Sequence, residues 1–319
     1  MLQYHVLWGS MIEIGIISNP KSRKNRKNPN IIKELESVIG KNGKVFKTEN
    51  FDDIYKVAQE FKEKDIKILA LNGGDGTIHI TLSIFIKVYK NNPLPKIAIL
   101  RGGTMNIISS SINSRRGTPK EILQHLIEKL NSSVPFTETQ RNIMKINDEY
   151  GFIFATGIAY NFLELFYQDD DPSPLRAAKM LGTSSIKAIL GQKSTLFKKN
   201  RIKIKTDGID WISNKFTTVG TLSIREMGLG FAPGVRIKED PNKFYLFSVK
   251  GSPLGIARSF PKLWFGYGFN KNVAQDKLTS KVILETLEGP IAFTIDGEMH
   301  TPSNKITVEL GPKINFILK

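Results

Sequence analysis

Two short apolar runs, Ile66 to Leu71 and Lys96 to Leu100, each end in a glycine-rich loop, and the stretches between such runs carry helical caps and helical spacing. This alternation constrains the chain strongly, because strands short and apolar enough to be buried on both faces belong to a parallel sheet covered by helices. Asn28-Pro29 is read as opening a helix that Gly40 closes, and Asn50 with Asp53 as a capping arrangement. Thr118-Pro119-Lys120-Glu121 is a capping box with proline at the first helical position. Open sheets of this type bind ligands beyond the carboxyl ends of their strands, so the loops there are where chemistry is expected.

The strongest such loop is Leu71-Asn72-Gly73-Gly74-Asp75-Gly76-Thr77-Ile78, which follows an apolar run and precedes a helix whose Ile78, Leu82, Phe85 and Ile86 share a face. Glycines there let the backbone turn sharply and aim N–H groups at a phosphate, with the Thr77 hydroxyl as an added donor. Asp75 is the odd member. A carboxylate repels phosphates unless a cation bridges them or it takes a proton from an attacking hydroxyl, which suggests phosphoryl transfer rather than simple anion binding. A tight glycine turn joining strand to helix is the plainer reading. His79 at the third glycine position excludes the dinucleotide fingerprint G-x-G-x-x-G, and no G-x-x-x-x-G-K-[ST] occurs. Arg101-Gly102-Gly103-Thr104-Met105-Asn106 is a second loop of the same kind. Asn19-Pro20-Lys21-Ser22-Arg23 is a third, either a source of cations for phosphates or a solvated basic turn.

After about Thr139 the texture changes to closely spaced β-like runs: Arg201 to Lys205, Phe216 to Ile224, Phe244 to Lys250, Lys281 to Thr286, Ile291 to Ile295 and Ile306 to Leu310. Helix-like interruptions fall at Leu175 to Leu190 and Pro253 to Phe265. Residues 1–140 are therefore expected to form an α/β domain and 141–310 a β-rich domain, with a last strand, Lys313 to Leu318, that belongs to either. Residues 311–319 would complete the first domain in the latter arrangement.

Composition narrows the chemistry. The 319 residues include no cysteine, which removes thiol nucleophiles and cysteine-based metal centres and fits a reducing compartment. Forty-six Lys and Arg against 30 Asp and Glu give a net charge of +16, which favours an anionic partner: nucleic acid, an acidic membrane surface or a phosphorylated small molecule. Dense basic clusters lie at Lys21 to Lys27 and Lys198 to Lys205. No apolar stretch reaches the ~18 residues of a membrane span. The first twenty residues lack a basic n-region and read as an extension followed by a strand, Met11 to Ser18, so an intracellular protein is expected. The four histidines show no zinc-type spacing, and no G-x-S-x-G is present.

The order and content of these motifs resemble the diacylglycerol kinase catalytic-domain superfamily, which includes the YegS-like bacterial lipid kinases and the sphingosine kinases. Asn19-Pro20-Lys21-Ser22 is similar to the family's N-P-x-[SA]-G, with Arg23 in place of glycine, and Gly73 to Thr77 is its G-G-D-G-T unaltered. Arg101 to Ser109 resembles P-x-G-T-x-N-x-x-A with the proline and alanine replaced. Gly157-Ile158-Ala159-Tyr160-Asn161 is similar to G-I-G-F-D, and Asp296-Gly297-Glu298 to a late D-G-E. Met180-Leu181-Gly182 sits where a basic helical region is expected. Asn161 stands where aspartate is frequent, and Asp240 is the one match to the family's acidic D-G-x-L-D segment.

The resemblance implies a kinase that transfers the γ-phosphoryl of ATP to a hydroxyl of a diacylglycerol-like lipid, using Mg2+. The implied architecture is an N-terminal three-layer α/β nucleotide domain, like that of NAD kinase and diacylglycerol kinase, and a C-terminal β-sandwich domain for the lipid. By the same resemblance Asn19, Thr48, Gly73, Gly74, Gly76, Thr77, Gly103, Thr104 and Asn106 would hold ATP. Asp75 and Glu298 would be catalytic, Glu298 as general base on the lipid hydroxyl, with Asn161 at the acceptor and Asp240 on the metal. From the residues themselves, Phe293-Thr294-Ile295 is an apolar strand that Asp296-Gly297 turns so that Glu298 projects, although without the resemblance a plain hairpin turn with exposed acids is the favoured reading. NAD kinase shares the G-G-D-G loop, but its Asn-Glu dipeptide is absent. The alternatives are thus an NAD kinase-like small-molecule kinase and a catalytically weak lipid- or nucleic-acid-binding protein.

Arg258 to Lys271 interleaves aromatics with cations, which suits a membrane interface, single-stranded nucleic acid or the buried end of a core helix. With a lipid acceptor the expected partner is an anionic membrane surface, met peripherally at the cytoplasmic inner face, with no nucleic acid; a homodimer stays open.

Overall fold

A computed structural model describes residues 13–104, 106–132, 134–167, 179–180, 182–183, 195–211, 214–228 and 230–318. The chain divides into two compact units, Met1–Gln140 with Ile314–Lys319, and Arg141–Lys313.

In unit 1 the elements run β1 Ile14–Ser18, α1 Arg23–Lys27, α2 Ile31–Ile39, β2 Gly43–Lys47, α3 Phe51–Glu63, β3 Ile68–Asn72, α4 Asp75–Tyr89, β4 Lys96–Ile99, α5 Ile107–Ser111 and α6 Pro119–Asn131. The strands pair in parallel in the order β2-β1-β3-β4, and Phe316 and Ile317 add a further parallel strand beside β4. Alternate strand residues face opposite sides. Ile14, Ile16, Ile68 and Ala70 pack with Leu35 of α2 and Leu123 and Leu126 of α6. On the other side Phe61 of α3 meets Phe85 of α4 edge-on at 5.5 Å, and a Cβ on Gly15 would stand 1.9 Å from the Phe61 ring. This is the three-layer α/β fold that the alternation predicts.

Two of the helix starts form as read, whereas the helix expected to open at Asn28-Pro29 begins at Ile31, after Asn30, which makes no side-chain cap bond. Asn50 Oδ1 accepts from Asp53 N at 2.9 Å, and Thr118 and Glu121 make both bonds of the capping box, at 3.2 and 2.8 Å. After the loop that starts at Asn19, the rest of the basic cluster winds into α1, whose Asn25 is buried between exposed cations.

Unit 2 contains β5 Glu138–Ile146, β6 Glu149–Gly151, β7 Ile153–Thr156, α7 Ile158–Tyr167, β8 Asn200–Thr206, β9 Ile209–Asp210, β10 Lys215–Phe216, β11 Thr218–Leu222, β12 Phe244–Val249, α8 Pro253–Ala257, α9 Phe260–Trp264, β13 Ala274–Thr279, β14 Lys281–Thr286, β15 Ile291–Ile295, β16 Glu298–Ser303 and most of β17 Lys305–Ile317. One antiparallel sheet has the order β13-β12-β11-β7-β15-β16, and β10-β8-β14-β17 forms the other. Phe154, Leu246, Phe293 and Ile295 of the first share a core with Ile204, Leu284, Ile306 and Val308 of the second, as two sheets packed face to face do.

Several sequence expectations are revised. The single helix Pro253 to Phe265 is two, because Ser259 and Pro261 start a second helix at Phe260. Ile306 to Leu310 and Lys313 to Leu318 are one continuous strand. Gly311 does not turn the chain; it lets the backbone pass close to Ile143, whose carbonyl oxygen a Cβ would approach to 2.6 Å. The basic cluster around Arg201 is the outward face of β8, with Ile202 and Ile204 inward, and Lys203 pairs with Asp210 at 3.0 Å. Most of Leu175 to Leu190, with Leu181, lies outside the described residues. Among the described residues no helix is long and apolar enough to cross a membrane.

Candidate functional site

In the order β2-β1-β3-β4 the chain leaves β1 in one direction and returns to its other side at β3, so the topological switch point lies between the carboxyl ends of β1 and β3. Those ends are Ser18 and Asn72, paired in register, with Asn72 Nδ2 donating to Ser18 Oγ at 2.9 Å. Three motif loops gather here. Asn19 N donates to the Asn72 carbonyl at 3.1 Å, and Asn19 Nδ2 donates to Thr77 Oγ1 at 3.1 Å. Ser22 Oγ lies 3.4 Å from the same hydroxyl. Thr48 N donates to the Ser18 carbonyl at 3.1 Å, which puts Thr48 beside the end of β1.

Asn25 joins the first two loops. Its buried amide donates to the carbonyls of Asn19 at 2.7 Å and Asn72 at 3.1 Å. No motif marks it; the available signal was one neutral residue inside a run of cations. Lys24 Nζ reaches the Arg101 carbonyl at 3.3 Å, tying the first loop to the third strand's neighbour loop.

The two glycine loops touch through their backbones. A Cβ on Gly103 would lie 2.4 Å from Gly74 Cα, and one on Gly73 2.4 Å from Thr77 Cβ, so neither position has room for a side chain. Gly74 is the N-cap of the 15-residue α4 and supplies no capping side chain, which leaves the first-turn amides around Gly76 and Thr77 available to an anion at the positive end of the helix. In the second loop Thr104 is exposed, and Asn106, in the left-handed conformation, donates from Nδ2 to the Gly103 carbonyl at 3.0 Å. Asn106 Oδ1 is buried with no hydrogen-bond partner among the described residues.

Asp75 is engaged by the chain just beyond the second glycine loop. Its Oδ2 accepts from Ile107 N and its Oδ1 from Ile108 N, each at 3.1 Å, so both oxygens are engaged by the start of α5. Burial pushes its carboxyl above the ordinary aspartate value, and the Ile107 and Ile108 amides pull the other way. The carboxylate therefore clasps one glycine loop to the other.

In unit 2 the D-G-E segment is the hairpin between β15 and β16. Asp296 and Gly297 both have positive φ, 49° and 88°, as a two-residue primed turn requires. Asp296 is buried, not solvent-exposed: its Oδ1 accepts from Phe152 N at 3.0 Å and Ile153 N at 2.8 Å. That anchors the turn and fixes where the next residue projects. The Glu298 side chain has no hydrogen-bond or ion-pair partner among the described residues, and although it is reached by solvent, the burial around its carboxyl pushes it upward.

The remaining two sequence candidates fare differently. Asn161, on α7, is half-buried and donates from Nδ2 to the Leu196 carbonyl at 3.4 Å. Asp240 accepts from Asn242 N at 2.9 Å and pairs with Lys243 at 3.2 Å, and the Asn242 amide lowers its carboxyl. Asp240, expected on the metal, thus lies in a local turn with these two partners. Among the described residues no group of three or more histidine, aspartate and glutamate side chains could hold a metal.

The sequence profile described as the diacylglycerol kinase catalytic domain matches residues 13–138. No curated protein matches the chain in sequence. Among solved structures, a protein of Bacillus anthracis str. Sterne described as a diacylglycerol kinase superposes with a TM-score of 0.70 at 18% identity, over 97% of each chain. A second structure, of a diacylglycerol kinase from the same source, gives 0.65 at 18% identity, again over 97% of each chain. Yeast NADH kinase complexed with NADH gives 0.53 at 11% identity, over 98% of this chain and 85% of that one. At these identities the structural likeness shows the fold.

Proposed function

We propose, from the premise that this chain belongs to the diacylglycerol kinase catalytic-domain superfamily through residues 13–138, that it transfers the γ-phosphoryl of ATP to a hydroxyl of a diacylglycerol-like lipid. The observation that carries this reading is the clasped pair of glycine loops at the switch point, with Gly74 and Gly103 in backbone contact at the start of a 15-residue helix. Helix-end amides and closely approaching glycines suit a polyphosphate, and the absence of both common dinucleotide and P-loop patterns separates the site from those classes.

In this reading the amides around Gly73, Gly74, Gly76 and Thr77 receive phosphate oxygens, Gly103, Thr104 and Asn106 form the facing wall, and Asn19 and Thr48 complete the nucleotide site. Asn19 also orients the Thr77 hydroxyl, whose proton its own amide leaves free for a phosphate. Asp75 is a positioning residue. Glu298 is the general base: its carboxylate has no partner among the described residues, and the burial that raises it above its ordinary value makes it a stronger proton acceptor. The lipid hydroxyl oxygen bonds to the γ-phosphorus, the bond from that phosphorus to the β–γ bridging oxygen breaks, ADP leaves, and the hydroxyl proton passes to Glu298. Mg2+ supplied with the nucleotide would neutralise phosphate charge, and Asp240 takes no part in holding it.

Transfer of label from γ-labelled ATP to a panel of diacylglycerol, monoacylglycerol, phosphatidylglycerol, sphingosine and NAD tests the proposal. Diacylglycerol is the expected acceptor, and transfer to NAD alone would replace this reading with that of an NAD kinase.

A further inference from the structure

Large apolar side chains are normally covered, and contiguous exposed ones mark a binding surface. Trp264, Phe265 and Tyr267 are 56%, 72% and 77% exposed, the last two being the most exposed large apolar side chains among the described residues. They stand on one short turn. Its rear is well fixed: Leu263 is buried and its carbonyl accepts from Ala232 N at 2.9 Å. Tyr267 N donates to the Lys262 carbonyl at 2.8 Å, and Phe231 packs edge-on against Trp264 at 5.6 Å. Gly266 and Gly268, at φ of 72° and 75°, bend the chain on either side of Tyr267. The rings are thus presented outward on a backbone already ordered, so little conformational freedom is lost when they are covered.

Along the segment that carries the turn the charge has one sign. From Gly251 to Ala274 there is no aspartate or glutamate, while Arg258, Lys262 and Lys271 are all exposed. The Arg225 guanidinium lies against Gly266, and Lys199 Nζ, bonded to the Lys250 carbonyl at 3.0 Å, adds a cation where the segment begins. Aromatic rings beside cations, with no acid between, match the headgroup layer of an anionic bilayer, where rings lie at headgroup depth and cations meet lipid phosphates. A second copy of the chain fits less well, since a self-complementary contact would set these cations against their own equivalents.

We propose that the turn Trp264 to Gly268 is the surface by which this protein docks on an anionic lipid bilayer, Trp264, Phe265 and Tyr267 entering the headgroup layer and Arg258, Lys262 and Lys271 pairing with lipid phosphates. The docking needs no nucleotide and does not depend on which hydroxyl is phosphorylated.

Flotation of the full chain with vesicles, without nucleotide, is the test. The wild-type protein is expected to float with vesicles containing phosphatidylglycerol, more weakly with phosphatidylcholine alone and less at high salt. Phe265→Ser with Tyr267→Ser should weaken flotation by about tenfold or more, the effect of returning two ring surfaces to water. Lys262→Glu with Lys271→Glu should remove the preference for phosphatidylglycerol. Both double variants replace exposed side chains and should keep the wild-type melting temperature, and phosphotransfer to a soluble short-chain diacylglycerol should be unchanged, which separates docking from chemistry. Wild-type protein that stays unbound would overturn the proposal, as would variants that float like wild type. So would loss of self-association, or of single-stranded DNA binding, in the variants with flotation intact.

Discussion

Replacing Asp75 by alanine removes two hydrogen bonds to backbone amides, at 3.1 Å from Ile107 N and 3.1 Å from Ile108 N, and leaves both donors facing a gap. A bond to a charged group contributes about 1.5–3 kcal/mol, and stranded amides add to the loss. The burial that raises the Asp75 carboxyl works in the opposite direction, because part of the carboxylate's desolvation is recovered on its removal. The net loss should be about 2–4 kcal/mol of folding stability, or a fall in melting temperature of about 3–6 °C for a chain of 319 residues. Asp75→Asn keeps one acceptor but turns an NH2 group toward a backbone N–H, so it should lie between wild type and alanine. Urea unfolding followed by circular dichroism measures both variants, with ATP affinity read in parallel. Stability and affinity should fall together, since the clasp holds the two glycine loops in contact. Stability within about 0.5 kcal/mol of wild type, with phosphotransfer abolished, would refute the positioning role and return Asp75 to the reaction itself.

Gly103→Ala sets a methyl group 2.4 Å from Gly74 Cα and must push the glycine loops apart; isothermal titration should show ATP affinity at least about tenfold weaker, with a stability loss of about 1–3 kcal/mol. Asp296→Ala strands the amides of Phe152 and Ile153 in a buried hairpin and should cost about 2–4 kcal/mol on denaturant unfolding. Asp240→Ala, at a surface turn, should change stability by less than about 0.5 kcal/mol and leave the Mg2+ dependence of turnover as it was. Glu298 must be ionised to act as base and its carboxyl is raised by burial, so kcat/KM should climb with pH through a value above the ordinary glutamate range. That acid limb should vanish from the residual rate of Glu298→Gln.

The parallel layers were readable from sequence because their signals are local. Ile68 to Leu71 is a buried run bounded by glycines, and Asn50 and Thr118 cap helices through neighbours three residues away. The site was readable only as far as its motifs go. Gly73 to Thr77 declared itself by spacing, whereas Asn25 acts through carbonyls 6 and 47 residues distant, and no periodicity encodes such partners. Asp75 shows the same limit in reverse: beside a phosphate-type loop its charge suggested chemistry, and what it meets is the start of α5, 32 residues on. The exposed rings of Trp264, Phe265 and Tyr267 were ambiguous in sequence for a related reason, because an aromatic run fits a core or a surface until neighbours such as Phe231 and Leu263 show which side is covered.

Phosphotransfer to diacylglycerol by wild type and Glu298→Gln, compared at saturating ATP, tests the central claim most directly. Labelled phosphatidic acid should form with the wild-type protein, and Glu298→Gln should lower kcat by about 10²–10⁴ while ATP affinity is retained. Equal turnover by the two proteins, or no labelled phosphatidic acid from the wild type, would contradict it.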